Sequence, residues 1–395
     1  MNTVPEAELN NRVEKFQQKL SNKDIGLAVI IENADLFYFA GTIQAEYLFI
    51  PQQGQPLLLV RQGIDRAQQE SNLEKIITFK SSKEIPEILK KEKIELPQNL
   101  GLELDVLAYK EAAKLQSICQ ADSLSNITTL IRQVKMIKSE SEIKKVKRAA
   151  DKLKGIPKLV ADKLEPGISE LELSALIEQH LRQQGHAGLV RMRGLNNEIP
   201  MGICVAGANA KFPIKTDAPF GGAGLHSSLG IGASKQRIPK GKTVLIDYLG
   251  YHEGYYADQT RLAIIGEPSA YLQKTYQQMV EMQSRLSKYL TPDYSWQTLY
   301  DKGVELATEF EVEEYFMGHG ENKAQYVGHG IGLELNEFPF LAKGLDFPLE
   351  SGMTVALEPK LLVPEIGVIG IENTYLITED EPKKLTTAPE ELIVI

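Results

Sequence analysis

Four carboxylates close apolar, strand-like runs in the C-terminal part of this chain. They are Asp247 after Val244-Leu245-Ile246, Asp258 after Tyr255-Tyr256-Ala257, Glu358 after Val355-Ala356-Leu357, and Glu372 after Val368-Ile369-Gly370-Ile371. An ionised acid is costly to bury without a compensating cation, so such positions are rare. The spacing adds a second constraint. Asp247 and Asp258 are equidistant from the turn-like Tyr251-His252-Glu253-Gly254, and a hairpin there sets them directly opposite each other. Glu358 and Glu372 repeat the arrangement about Glu365, inside Val363-Pro364-Glu365-Ile366-Gly367, whose Pro and Gly mark a strand connection. Like charges facing across a strand pair, with Cβ atoms about 5 Å apart, destabilise a sheet. Two mirrored pairs therefore predict a bound cation.

A fifth donor is His329 in Tyr326-Val327-Gly328-His329-Gly330-Ile331-Gly332, where the flanking glycines are expected to let the backbone approach an ion or substrate closely. Four oxygen donors and one imidazole are too carboxylate-rich for a structural zinc site, and no cysteine lies nearby to build one. The set predicts a paired site for two divalent ions, manganese first, with cobalt, iron or zinc as alternatives. The other histidines, His180, His186, His226, His252 and His319, read as packed or surface residues. His226 is the partial exception, because it closes a Gly-rich loop. Gly241-Lys242-Thr243 suggests a phosphate loop, but Gln236 stands where the leading glycine is needed, and a strand follows instead of a helix.

With 395 residues, 43% hydrophobic and 25% charged, the chain is long enough for two domains with their own cores. Its net charge of −9 argues against nucleic acid or an anionic membrane as the main partner, since both reward basic patches. A small soluble substrate is the expectation. The segment from Met1 to Glu8 lacks a signal-peptide pattern and no run approaches transmembrane length, so the expected location is the cytoplasm. Cys119 and Cys204, far apart and without metal spacing, read as packed thiols.

An amphipathic helix is expected from Leu9 to Leu20, then strands at Ile25 to Ile31, Tyr47 to Ile50 and Pro56 to Val60. Helices at Lys83 to Lys93 and Tyr109 to Ile118 flank the apolar Leu100-Gly101-Leu102-Glu103. This alternation predicts a small α/β domain over residues 1–130. Residues 131–145 read as a linker and the start of a long helix reaching about Leu164, opened by a capping box of Ser139 with Glu142. After Pro166-Gly167, Ser169 with Glu172 opens a second helix, Glu170 to Gln184. The acid-bearing domain then spans 146–395. Within it Gly207 to Gly232, including Pro219-Phe220-Gly221-Gly222-Ala223-Gly224-Leu225-His226, is read as a loop that is a candidate cover for a substrate pocket.

Taken together, these residues resemble the pita-bread metallopeptidase family, in its aminopeptidase P and prolidase branch. The resemblance rests on Arg132 to Ile143, Glu165-Pro166-Gly167 followed by Glu170, Asp247 with Asp258-Gln259-Thr260-Arg261, Gly328-His329-Gly330-Ile331-Gly332, Glu358-Pro359, and Ile371-Glu372-Asn373-Thr374. It implies an α/β (α+β) chain, with a creatinase-like N-terminal α/β domain followed by a pita-bread catalytic domain of curved antiparallel sheets flanked by helices. It implies two divalent ions held by Asp247, Asp258, His329, Glu358 and Glu372, a bridging hydroxide as nucleophile, and Glu358 as the catalytic proton carrier to the leaving nitrogen. The implied substrate is a short peptide with a free N-terminus and proline second, cut by an aminopeptidase that assembles as a homodimer. The alternative on the same scaffold is a metal-dependent non-peptidase hydrolase or lyase.

The chain departs from the family pattern at three positions. A histidine expected shortly before the first Asp strand is missing, since Gly207-Ala208-Asn209-Ala210 leads to Pro213-Ile214. His226 is the candidate catalytic substitute. A second histidine, seven residues after the metal histidine, is replaced by Asn336, a candidate substrate-binding residue. An arginine often found two residues before the last Glu is Gly370. Loss of one such charge-stabilising donor costs on the order of 10²–10³ in rate.

Overall fold

A computed structural model describes residues 3–214 and 220–395. They form two compact units, one comprising the chain up to Lys135 with Arg193–Leu195, the other Met136–Met192 with Asn196–Ile395.

The first unit is built on six short strands in the order Lys75–Thr78, Leu57–Val60, Tyr47–Pro51, Leu27–Ile30, Asn99–Leu102, Ser123–Asn126. Leu27–Ile30 pairs antiparallel with Tyr47–Pro51 and parallel with Asn99–Leu102. The central strands are buried at every residue, which is why they read as continuous apolar runs without alternation. Helix Glu6–Ser21 buries Leu9, Val13, Phe16 and Leu20, a stripe at helical spacing. Helices Ile85–Lys91 and Tyr109–Cys119 contribute Ile85, Leu89, Ala112 and Leu115 to the same core as the sheet.

In the second unit both predicted capping boxes form. Ser139 Oγ accepts from Glu142 N at 3.3 Å while Glu142 accepts from Ser139 N at 2.8 Å, and Ser169 with Glu172 does the same at 3.2 and 2.8 Å. The single helix expected to reach Leu164 is instead two, Glu140–Leu153 and Ile156–Lys163. Pro157 has no N–H to give the Leu153 carbonyl, so the first helix cannot run through it.

Seven strands of this unit's nine-stranded main sheet run antiparallel in the order Glu337–Ala342, Tyr326–Gly330, Thr354–Leu357, Glu372–Leu376, Tyr255–Ile264, Thr243–His252, Gly202–Ala206. Helices Ala270–Ser287 and Trp296–Glu309 bury Met279, Met282, Leu286 and Leu299 in the core that also holds Leu245, Leu262 and Val355. Helix Glu140–Leu153 lies close on the hairpin, because Gly250 has no side chain; a Cβ there would sit 2.1 Å from the Ala149 carbonyl oxygen.

The hairpin register corrects the sequence reading by two residues. Asp247 faces Thr260, and Asp258 faces Leu249, so the two acids are diagonal neighbours. The turn is the pair Glu253-Gly254, at φ 48° and 92°, the doubly left-handed geometry that suits a two-residue connection. A slip of two keeps every side chain on its face, so both acids still point the same way. The second pair keeps the expected register. Thr354–Leu357 and Lys360–Val363 pair with Glu372–Leu376 and Gly367–Gly370 symmetrically about Glu365, which places Glu358 across from Glu372.

Gly207–Lys211 forms a short 3-10 turn and Phe220 to Gly232 is without strand or helix; residues 215–219 of the predicted loop, Pro219 among them, lie outside the described residues. Among the described residues no helix is long and apolar enough to cross a membrane.

Candidate metal centre

Five adjacent strands each deliver one donor. In spatial order His329 lies on Tyr326–Gly330, Glu358 follows Thr354–Leu357, Glu372 opens its strand, and Asp258 and Asp247 lie on the two arms of the hairpin. Four of these residues are buried, from Glu372 at 1% exposure to His329 at 8%.

The surrounding hydrogen bonds fix the donors in place. His329 Nδ1 lies 3.1 Å from the Gly330 carbonyl oxygen, which orients the ring with Nε2 toward the acids. Nε2 is 3.7 Å from Glu358 Oε1 and 3.9 Å from Glu372 Oε1. Thr260 Oγ1 donates to Glu372 Oε2 at 2.8 Å, and the buried Arg261 guanidinium donates to the Glu372 carbonyl at 2.9 Å. Asp258 accepts from Gln259 N at 2.8 Å. The glycines beside His329 act differently from the expectation. A Cβ at Gly328 would lie 2.3 Å from the Ala356 carbonyl oxygen and one at Gly330 2.2 Å from that of Phe338, so they admit neighbouring strands and not a ligand.

One residue at the centre was missed in the sequence. Lys360, 1% exposed, places its Nζ 2.7 Å from Glu358 Oε2, 2.8 Å from Glu372 Oε2 and 3.0 Å from Asp247 Oδ2. Its signal was legible: a lysine two residues after Glu358 in a strand pattern points to the same face. Burial opposes its charge, but Asp247, Glu358 and Glu372 outweigh that and hold the ammonium well above the usual lysine range. One lysine does not neutralise four acids. Burial, followed by the charges of Glu372 and Asp247, pushes the Asp258 carboxyl well above the ordinary carboxylate range, and burial raises Asp247 too, against the pull of Lys360.

Asp258, His329 and Glu372 each offer a ligand atom within 4.8 Å of the other two. Glu372 Oε1, which faces His329, is buried without a hydrogen-bond partner among the described residues. An orphaned carboxylate oxygen beside an imidazole lone pair and a second acid is a donor set suited to a divalent cation.

The centre lies in an open cleft of about 680 Å³, mouth included, whose walls carry Ile199, Pro200, Ile203, Phe220 and Leu335. Asn336 lines it, as the sequence reading requires of a substrate-binding candidate. His226 does not. It is exposed, its Nδ1 accepts from Ser228 N at 3.1 Å and lies 3.0 Å from Ser228 Oγ, and it is absent from the cleft wall. The local turn holds the ring in solvent, so it does not replace the missing histidine.

A buried group of acids with one histidine, strung across an antiparallel sheet, defines a metallohydrolase type of centre, and sequence comparison gives its family. Metallopeptidase family M24 matches residues 144–379, and the Creatinase/Prolidase N-terminal domain matches residues 12–137. The chain belongs to metallopeptidase family M24. It is 26% identical over 387 residues to the Xaa-Pro dipeptidase of Pyrococcus furiosus, covering 98% of this chain and 100% of that one. Among solved structures it is similar to the prolidase from Pyrococcus horikoshii OT3, at 25% identity and a TM-score of 0.80 over 97% of this chain and 100% of that one. It is also similar to an Xaa-Pro dipeptidase from Bacillus anthracis, at 26% identity and a TM-score of 0.82 over 98% and 100% of the two chains. The fold class is therefore the expected one, a creatinase-type N-terminal domain followed by a pita-bread domain.

Proposed function

We propose that this chain is a divalent-metal-dependent hydrolase that cuts the bond before proline in Xaa-Pro dipeptides. The sequence reading was an aminopeptidase- or dipeptidase-like enzyme acting on short peptides with proline second; two of the relatives just described are named Xaa-Pro dipeptidases, which supports the dipeptide form of that reading. The observation that carries the reading is the orphaned Glu372 Oε1 beside Asp258 and His329 at the floor of an apolar cleft. Those three residues would hold an ion. When bound, a divalent ion polarises a carbonyl oxygen and lowers the pKa of water toward about 7.

The chain's own groups supply the rest. Glu358, whose Oε1 lies 3.7 Å from His329 Nε2, would carry the proton to the leaving proline nitrogen. Ile199, Pro200, Ile203, Phe220 and Leu335 offer an apolar wall to the pyrrolidine ring. The Asn336 amide can donate to a peptide oxygen in place of the imidazole the resemblance implies there. Manganese as the ion, a homodimer as the assembled form and the cytoplasm as the location belong to the same reading and derive from the resemblance and composition.

The test is a panel of Xaa-Pro dipeptides, Xaa-Pro-Yaa tripeptides and proline-free dipeptides, offered to protein stripped of metal and reloaded with manganese, cobalt or zinc. Cleavage confined to Xaa-Pro dipeptides, absent in Glu358→Gln, is expected. Cleavage of tripeptides with release of the first residue would restore the aminopeptidase reading. No peptide cleaved by a metal-loaded protein would end the peptidase reading.

A further inference from the structure

We propose that Lys360 is a built-in substitute for one of the two ions, so that this chain holds a single divalent cation. The inference rests on the metal-dependent reading above and fixes the number of ions in it. The Lys360 ammonium occupies the half of the centre made by Asp247, Glu358 and Glu372 Oε2, at 2.7–3.0 Å from one oxygen of each. Three donors meet three carboxylates, which is the full capacity of an ammonium. The other half stays free for a cation, because Glu372 is divided. Its Oε2 accepts from Lys360 and Thr260, while Oε1 is buried, unpartnered and aimed toward His329 and Asp258.

Charge counting agrees. Asp247, Asp258, Glu358 and Glu372 bring four negative charges, and one ammonium with one divalent ion returns three of the four. A second divalent ion beside the ammonium would overshoot and would compete for oxygens already engaged. Lys360 has nowhere equally favourable to go, since the wall beyond it is apolar and the Phe220 ring centroid is 5.7 Å from Nζ.

The sequence departure at Gly370 then has a structural reason. Gly370 pairs with Lys360, and a Cβ there would lie 2.6 Å from Lys360 Cγ and 2.7 Å from its Cα. A side chain at 370 would also meet the Pro359 carbonyl oxygen at 2.7 Å, so the close backbone pairing of this strand, as well as the Lys360 stem, requires glycine there.

The experiment is metal stoichiometry, read by native mass spectrometry and by Mn(II) electron paramagnetic resonance on wild-type protein and on Lys360→Gly after saturation with manganese. One ion per chain with an isolated six-line spectrum is expected for the wild type. Two ions with an exchange-coupled spectrum are expected for Lys360→Gly, a doubling. Two ions in the wild type would overturn the proposal, and this arm needs no variant to fold. One ion in a folded Lys360→Gly would also overturn it, because the lysine would not then be what excludes the second ion. No ion in the folded wild type would end the metal-dependent reading itself, and this proposal with it.

Discussion

Each of the two units gathers a cluster of acids around buried members, Asp35 and Glu103 in the first and Asp258, Glu358 and Glu372 in the second, and the two clusters are neutralised differently. In the first unit Asp35, Glu103 and Asp105 meet Lys135 and Arg193: Lys135 Nζ is 2.8 Å from Asp35, and Arg193 reaches Asp35 at 2.5 Å, Glu103 at 3.4 Å and Asp105 at 2.5 Å. Burial opposes the charge of Asp35, but Lys135 and Arg193 outweigh it and hold the carboxyl well below its ordinary range. Burial, and then the charge of Asp35, push Glu103 well above its range, although its carboxyl accepts from the Ile31 and Glu32 backbone N–H groups. Each of the three acids thus has a cation within ion-pair distance, and Asp35 faces both, so the network closes on itself. In the second unit one lysine meets three of the four acids, and among the described residues an oxygen of Glu372 has no hydrogen-bond partner. Buried acids are therefore not enough to identify a site. The excess left after the protein's own cations are counted is what calls for a ligand.

Breaking a closed network should cost stability, whereas removing a charge from one with excess acid should cost function. The largest effect is expected for Asp35→Asn, which removes the buried carboxylate that both Lys135 and Arg193 face and should lower stability by about 3–5 kcal/mol in chemical denaturation, with metal stoichiometry unchanged. For Asp258→Asn the pattern inverts: kcat/KM should fall on the order of 10²–10³, while thermal unfolding of the metal-free protein occurs no earlier than in the wild type. Manganese at about a hundredfold over its Kd should add about 2.7 kcal/mol of stability to the wild type, and this gain should vanish in Asp258→Asn but persist in Asp35→Asn.

The smallest effect concerns pH. Because the folded-state pKa of Asp35 lies below its unfolded value of about 3.9, its contribution is fully present above that value and is lost as pH falls through the folded one. Urea unfolding of the metal-free protein between pH 6 and 3 should show this acid limb in the wild type and a flatter one in Asp35→Asn. Equal slopes would mean that the network is not as closed as the distances imply.

Local physics made much of the molecule legible. The capping boxes at Ser139 and Ser169 involve residues three apart, and the Glu358 and Glu372 register is set by a connection centred between them. The break between Leu153 and Ile156 was also local, but the expectation followed periodicity past Pro157. The hairpin of Asp247 and Asp258 was centred one residue early, between His252 and Glu253; the left-handed pair Glu253-Gly254 decides it. His226 looked available because a loop histidine has no periodicity to orient it, and only its bonds to Ser228 show that it faces solvent.

The sequence alone placed the five candidate residues at strand positions that share a face and gave the two-part fold class, because strand parity and helix capping are properties of neighbouring residues. Tertiary structure decided how the charges are matched. Asp35 finds its partners 100 and 158 residues away, and Lys360 reaches Asp247 across 113. Coulombic neutralisation depends on distance in space after the strands have been ordered, and no local pattern in a chain records which acid is left without a cation.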